Sequence, residues 1–160
     1  PGQVGALEGS LSCAVSHELS NHPPPAYLWD QDVRDFFALP GSGHMIAANL
    51  HADDLDETRG QICTDNGVTA AQFRSVALFI FLRVEGEGDQ AVRWIEEVAY
   101  SDGGDDHCVV FTRADGLLPN APHEASREAD LRAFLEAALA DGQFSPPELR
   151  RRFLGSGLAS

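Results

Sequence analysis

The sequence predicts an α/β fold whose strands cluster in the middle of the chain. Three observations favour this class: a nearly continuous apolar run at residues 75–84, two further strand-like stretches before residue 114, and helical periodicity towards the C-terminus. A length of 160 residues suits one domain with a hydrophobic core. We expect residues 1–26 to form an N-terminal loop segment and residues 27–160 to form a single α/β domain.

The first half of the domain is expected to contain two strands and a helix. Residues 27–29 (YLW) follow a Pro-rich stretch that excludes a helix, and they are a short strand candidate. Residues 43–51 are predicted to form a second, buried strand. A helix should follow, because Asp54 can cap its first turn, with Glu57 three residues later as in a capping box. Residues 66–67 (NG) should end this helix.

The second half is expected to contain three strands and two helices. Residues 75–84 are nearly all apolar, which is typical of a strand covered on both faces. Residues 91–100 follow a short Glu- and Gly-rich connection, so the two stretches should form a hairpin or neighbouring strands. A third strand is expected at residues 107–113. The closing helices are indicated by an apolar stripe at residues 131–139 and a capping box with proline at residues 145–148.

The charge and the composition exclude several classes of function. Eleven basic residues, all of them arginine, face 25 acidic residues, for a net charge of −14. Such a chain repels phosphate backbones, so we expect no nucleic-acid partner. The apolar run is far shorter than the roughly 20 residues of a membrane span, so no membrane insertion is expected. Three widely spaced cysteines form no disulfide framework or metal signature, which favours a reducing cytoplasm.

Residues 17–22 (HELSNH) contain two histidines and a glutamate, as in the helical motif of zinc metalloproteases. That motif needs histidines four residues apart on one helical face. Here they are five residues apart, and prolines follow. The spacing therefore argues against a zinc site in this segment.

A cluster of three carboxylates surrounds Arg34 in residues 30–37 (DQDVRDFF). The cluster directly follows the strand expected at residues 27–29. An acidic residue at the carboxyl end of a strand is where α/β proteins hold Mg²⁺ or an attacking water. Alternatively, the aspartates are structural, because the helix dipole favours them in a first helical turn. The residues alone leave both interpretations open.

Two histidines, His44 and His51, lie seven residues apart around an apolar stretch. They can be structural residues at strand ends, parts of a catalytic site, or metal ligands together with Asp53 or Asp54. A strand of seven steps spans roughly 23 Å. An odd interval also places the two side chains on opposite sides of a regular strand. A shared metal ion therefore requires a bend at residues 47–48.

These stretches together resemble the ATPases of type II and type IV secretion and of pilus assembly. In that family an acidic residue, an aliphatic residue, Arg and Asp or Gly end the Walker B strand. A Gly-His pair and a strand ending in Leu-His-Ala, the His box, follow. Residues 32–35 (DVRD), 43–44 (GH) and 50–53 (LHAD) match these features in order. The match of residues 91–100 to a later family strand is looser, and the likeness covers roughly residues 27–154.

The resemblance implies a RecA-like partial core with a mixed sheet and C-terminal helices. It corresponds to the C-terminal half of a motor core that works as a hexamer on Mg²⁺ and ATP. By position, Asp32 would act in catalysis and hold Mg²⁺. His44 and His51 would act as catalytic residues near the terminal phosphate, and Arg34 would contribute to cofactor binding.

The chain departs from the family pattern in three ways. It has no lysine and therefore no Walker A motif, so we expect that half of the core to lie upstream of Pro1. The interval from Arg34 to His44 is shorter than in the family. Asp32 stands where the family usually has glutamate, and its carboxylate reaches less far.

The resemblance therefore predicts a part, or a degenerate relative, of a secretion-type ATPase that associates with itself or with protein partners. Two alternatives stay open. The first is a non-enzymatic interaction domain that docks through its sheet and C-terminal helices. The second is a metal-dependent hydrolase that uses the histidines and the nearby aspartates.

Overall fold

The computed structural model describes residues 12–20, 27–122, 124–142 and 145–157. It confirms a mixed α/β fold, but the predicted mixed sheet is wrong, because the parallel and the antiparallel strands of the described residues form two separate sheets. The chain divides into two compact units, Pro1–Ala121 and Pro122–Ser160, which are described separately. The first unit contains a two-stranded parallel sheet, a four-stranded antiparallel sheet and short helices, and the second contains two helices.

The first unit begins with two parallel strands joined through a helix. Strand β1 (Cys13–Leu19) pairs with β2 (Met45–Leu50), and helix α1 (Gln31–Ala38) lies in the connection between them. A 3₁₀ turn at Leu39–Ser42 leads from α1 into β2. This order is the usual one, because parallel strands need a long crossover connection. The strand predicted at residues 43–51 is confirmed as β2, but the prediction that it is buried is wrong, because four of its six residues are exposed.

The N-terminal segment differs from the prediction. We expected a loop over residues 1–26, but Cys13–Leu19 is a strand, and residues 1–11 and 21–26 lie outside the described residues. Exposed and covered side chains alternate along β1, as in a strand with one face towards a core. The strand expected at residues 27–29 reduces to a single parallel bridge between Leu19 and Leu28.

The helix predicted after Asp54 forms, but it is short. Helix α2 (Leu55–Arg59) begins where the Asp54 carboxylate accepts a hydrogen bond from the Glu57 backbone N–H at 2.8 Å. The Glu57 carboxylate in turn accepts from the Asp53 N–H at 2.7 Å. A π-helical segment (Gly60–Asp65) follows, instead of regular helix up to residue 66. A second short helix, α3 (Ala70–Arg74), was not predicted.

The antiparallel sheet is a meander of four consecutive strands. They are β3 (Leu78–Glu85), β4 (Val92–Tyr100), β5 (Cys108–Thr112) and β6 (Gly116–Leu117). The predicted pairing of the first two strands is confirmed. The prediction that the first strand is covered on both faces is wrong, because exposed and covered residues alternate along β3.

The core of the first unit forms where α1, the π-helical segment and α3 meet the sheets. Phe73 of α3 is fully buried, and its ring stacks on that of Phe79 of β3 with centroids 5.0 Å apart. This contact attaches one face of the antiparallel sheet to the core. The buried cluster consists of Leu19, Val33, Phe36, Phe37, Ile62, Val68 and Phe73.

The second unit consists of helices α4 (Ala125–Ala140) and α5 (Pro146–Gly155), which confirms the two predicted closing helices. The rings of Phe134 and Phe153 meet edge to face at 5.7 Å. The apolar stripe of α4 is only partly covered, since Leu139 is 60% exposed. The described part of the chain has no helix of the length and apolarity that a membrane crossing requires.

Candidate functional site

The two histidines of the predicted site flank opposite ends of β2. His44 directly precedes this six-residue strand and His51 directly follows it. Residues 47–48 do not bend, because Ala47 and Ala48 pair in register with Val15 and Ser16 of β1. The two imidazoles are therefore separated by a regular strand. Among the described residues, no group of three or more His, Cys, Asp or Glu side chains is arranged to hold a metal ion.

His44 lies at the amino end of β2, in the turn that follows α1. Its backbone N–H donates to the carbonyl of Leu39 at 3.2 Å, and the side chain is half-buried. Its Nδ1 atom is buried without a hydrogen-bond partner in the described structure. Ligands of α/β proteins bind beyond the carboxyl ends of parallel strands. His44 is at the other end.

His51 lies at the carboxyl end of β2, where it meets a glutamate from β1. Its Nε2 atom is 3.2 Å from Oε1 of Glu18. The His51 side chain is 91% exposed, whereas that of Glu18 is only 12% exposed. The His51 carbonyl accepts a hydrogen bond from the Gln61 side chain at 2.7 Å, which fixes the backbone of this residue. The His51 imidazole is therefore exposed to solvent while its Nε2 atom contacts the Glu18 carboxylate.

A β-bulge places Glu18 in this position. Three steps along β1, from Ser16 to Leu19, oppose two steps along β2. The extra residue turns the strand locally, as bulges do where a side chain has to be re-aimed. Glu18 thereby also reaches the phenol of Tyr27. Its negative charge, and then its hydrogen bond from the hydroxyl, raise the pKa of Tyr27 above the usual value.

Glu18 and Tyr27 belong to this site, although the sequence pattern did not predict either of them as a site residue. In the sequence, Glu18 lies in the segment that resembles a helical zinc motif, and Tyr27 lies in a short strand candidate. Residues 13–19 (CAVSHEL) gave no clear signal for this strand, because three apolar residues are followed by three polar ones and only the exposure in the structure alternates. The end of β1 lies near His51 because Leu19 pairs with Leu50, and this pairing becomes known only from the structure.

Asp32 does not join the histidines in one hydrogen-bonded site. It lies half-buried in the first turn of α1. Within the described structure, no side-chain hydrogen bond or ion pair connects it to His44 or His51. This position fits the structural interpretation, in which an aspartate in a first helical turn stabilises the helix through its dipole.

Arg34 is engaged in holding α1 in place. Its guanidinium forms an ion pair with Asp30 at 2.6 Å and donates to the backbone carbonyl of Asn66, also at 2.6 Å. Two further hydrogen bonds, at 3.0 and 3.2 Å, reach the side chain of Gln31. These contacts use the donors on all three guanidinium nitrogens. Its expected role in nucleotide binding stays a prediction. That role would require the guanidinium to exchange these contacts for contacts to the nucleotide.

A different candidate site is an exposed apolar face of the antiparallel sheet. Leu82 pairs directly with Ile95, and Ile80 pairs through β4 and β5 with Leu117 of β6. Directly paired residues of antiparallel strands point to the same face of a sheet. We call this surface the outer apolar face. Its members, with their exposed fractions, are Leu78 50%, Ile80 52%, Leu82 64%, Val84 58%, Ile95 44% and Leu117 65%.

The opposite face of the same sheet is covered around Phe79, Phe81 and Ala99, whereas Val92, towards the β3–β4 turn, is 60% exposed. Phe81 is 7% exposed and Ala99 is fully buried, and Phe79 packs against Phe73 as described above. The two faces of β3 therefore differ sharply in exposure, although both are apolar in sequence. A sheet with one covered face would normally carry polar residues on the other. The outer apolar face departs from that pattern.

Unpaired carboxylates lie at both ends of the β3–β4 hairpin. Glu85, Glu87 and Asp89 are exposed at the turn between the two strands, and Asp102 and Asp105 follow the end of β4. Within the described structure, none of the five forms an ion pair. Hydrogen bonds from the backbone N–H groups of residues 104 and 105 lower the pKa of Asp102, so its carboxylate is charged at neutral pH.

No protein-family model matches the sequence, and no match was found among curated proteins. The resemblance of residues 32–53 to secretion ATPases therefore stays a prediction from the sequence.

Proposed function

We propose that this chain is a protein-interaction domain that binds its partner through the outer apolar face. The observation that carries the proposal is the exposure of six large aliphatic side chains, between 44% and 65%, on one continuous sheet face. Contiguous apolar surface on a chain with so much charge is typical of an interaction site. The partner supplies the cover that the second face of the sheet lacks.

The energy available at this face decides what kind of binding it supports. Fully burying a large aliphatic side chain contributes roughly 1.5–3 kcal/mol, and these six are about half exposed. Covering them contributes roughly 5–9 kcal/mol. Association itself costs roughly 4–15 kcal/mol in lost freedom. The apolar face alone therefore supports weak binding, and a specific partner needs additional polar contacts around it.

The Glu18–His51 pair supports a catalytic function less well. An imidazole held by a carboxylate can exchange a proton with a bound group. His51 is almost entirely exposed, however, and water then competes with every contact to a substrate. The other predicted site residues, Asp32, Arg34 and His44, add no hydrogen bond or ion pair to this pair in the described structure.

Dye binding to the native protein tests whether the outer apolar face is available. The variant Ile80→Thr/Leu82→Thr keeps residues that favour strands and removes most of the exposed apolar area at the centre of the face. We expect it to lower the native-state fluorescence of a neutral hydrophobic dye, Nile red, at least twofold. The matched control is Val15→Thr/Met45→Thr, which changes two residues exposed by 76% and 64% on the parallel sheet. Equal signals from the two variants would overturn the proposal.

A second candidate function follows from the carboxyl ends of β1 and β2, where Glu18 and His51 lie. Because α/β proteins bind ligands at such ends, this location is compatible with the predicted RecA-like partial core of an Mg²⁺- and ATP-dependent hexameric motor. Thermal unfolding with and without millimolar Mg·ATP tests it, since binding to the native state raises the midpoint. A rise that is lost in His51→Ala and Asp32→Ala would support the ATPase. No rise would exclude a self-sufficient nucleotide site in this chain.

A further inference from the structure

The outer apolar face has a defined length and charged ends. From Leu78 to Val84 the strand makes six steps, which correspond to about 20 Å. The unpaired carboxylates of Glu85, Glu87 and Asp89 lie beyond one end, where they outnumber the exposed Arg93 that pairs with Val84. Those of Asp102 and Asp105 lie beyond the other end, after β4 has run back along β3. The apolar strip is therefore bracketed by negative charge.

The charge at both ends argues against a second copy of this chain as the occupant. If two outer apolar faces packed together, either relative direction of the strands would bring acidic turns against acidic turns. The net charge of −14 on each copy adds to this repulsion. Complementarity instead requires a partner that is apolar in the middle and positively charged at both ends.

The length of the strip fits a helix. An α-helix rises 1.5 Å per residue, so about 13 residues span 20 Å. An apolar stripe at three- and four-residue spacing along such a helix presents about four side chains, roughly one for each exposed aliphatic residue of β3. Basic residues at the two ends of the helix would then lie over the acidic turns.

We propose that the outer apolar face binds an amphipathic helix of a partner protein, with an apolar stripe of about 13 residues and Lys or Arg at both ends. This inference rests on the proposed function, and it specifies the chemistry of the partner. The apolar stripe covers Ile80, Leu82 and their neighbours. The basic ends make the polar contacts that the apolar area by itself lacks.

Binding of synthetic helical peptides, followed by fluorescence anisotropy with the full chain, tests the inference. The first peptide carries a leucine stripe with two lysines at each end. The second has glutamates at the ends, and the third keeps the lysines but has a scrambled stripe. We expect the first peptide to bind at least tenfold more tightly than either of the others, and its affinity to fall as salt is raised.

Two variants of the protein assign the binding to this face. Glu87→Gln/Asp89→Asn removes two charges at the β3–β4 turn and should weaken binding of the lysine-ended peptide threefold or more. The matched control, Asp130→Asn/Glu136→Gln, removes the same two charge types from exposed positions on α4 and should change the affinity less than twofold. Equal effects would show nonspecific attraction to an acidic protein and would overturn the inference.

The possible outcomes separate this inference from the proposed function. Equal affinity for the lysine- and glutamate-ended peptides, lost in Ile80→Thr/Leu82→Thr, would refute the charge requirement and leave the interaction function standing. Affinity unchanged in that variant would refute both. A dimer in sedimentation equilibrium that the same variant abolishes would assign the face to a second copy, and the inference would be wrong.

Discussion

The side-chain amide of Asn66 joins three elements of the first unit, and we predict that Asn66→Ala will destabilise it. Asn66 is 3% exposed. Its Nδ2 donates to the carbonyls of Ser20, at the end of β1, and Gln61, in the π-helical segment, at 2.9 and 2.8 Å. Its Oδ1 accepts from the N–H of Asp30, which precedes α1, at 2.6 Å.

The cost follows from what each partner loses. A buried polar group left without its hydrogen bond costs about 1–3 kcal/mol. A hydrogen bond that water can replace costs about 0.5–1.5 kcal/mol. Ser20 is buried, whereas Asp30 is exposed and Gln61 is half-buried, so water can replace part of the loss at the latter two. Asp30 also has φ of 52°, a conformation that is unfavourable without its fixed contacts. We therefore expect Asn66→Ala to lower the free energy of unfolding by about 3 kcal/mol in total.

Urea unfolding followed by circular dichroism measures this loss. The matched control is Asn49→Ala, which removes one exposed hydrogen bond, to the carbonyl of His17 at 3.1 Å, and should cost less than about 1 kcal/mol. If Asn66→Ala costs no more than Asn49→Ala, the amide does not hold the three elements together. The account of how α1 and Arg34 are positioned would then be wrong.

Two further predictions concern ionisable groups. Burial is the main reason that the pKa of His107 is lowered, and its Nε2–H donates to the Val76 carbonyl at 2.7 Å. As the pH falls, the His107 imidazole is therefore protonated in the unfolded chain before it is protonated in the folded chain. Stability should fall as the pH drops from about 6.5 towards the lowered pKa, and the fall should be smaller in His107→Gln when urea unfolding is compared at neutral and mildly acidic pH. Replacing the charge in Glu18→Gln should lower the pKa of Tyr27 towards its usual value, as measured by alkaline absorbance titration; an unchanged titration would exclude their contact.

The elements that the sequence predicted well are those with local signals. The cap at Asp54 and the strand that became β2 depend on residues within a few positions of each other. Strand β1 was missed because its sequence does not alternate between apolar and polar residues and because its partner, β2, follows only after α1. The π-helical segment at Gly60–Asp65 likewise has no local sequence signal that we can identify.

The exposure of β3 could not be predicted from its sequence. Residues 78–82 (LFIFL) are apolar in both phases of the alternation, so the pattern indicates a strand but not which face is covered. The packing of Phe79 against Phe73 decides it, and Phe73 belongs to a helix that was not predicted. The free face is thus a consequence of tertiary structure.

The contacts of the candidate site residues likewise depend on tertiary structure and could not be predicted from the local sequence. The role of Arg34 in cofactor binding stays a prediction, and the contacts that it makes in the structure include the carbonyl of Asn66, which is distant in sequence. His51 was singled out for its place at a strand end, and the structure confirms that place. Its partner Glu18 depends on the register and the bulge of β1, which the sequence pattern does not specify.

The central claim is that the outer apolar face is a free surface in the folded chain, and the unfolding free energy of Ile80→Thr/Leu82→Thr tests it most directly. Since the two side chains are 52% and 64% exposed, we predict a loss below about 1 kcal/mol relative to wild type. Truncating two packed aliphatic side chains would instead cost roughly 3 kcal/mol or more. A loss of that size would mean that the face is part of a core, and the interaction function would be contradicted.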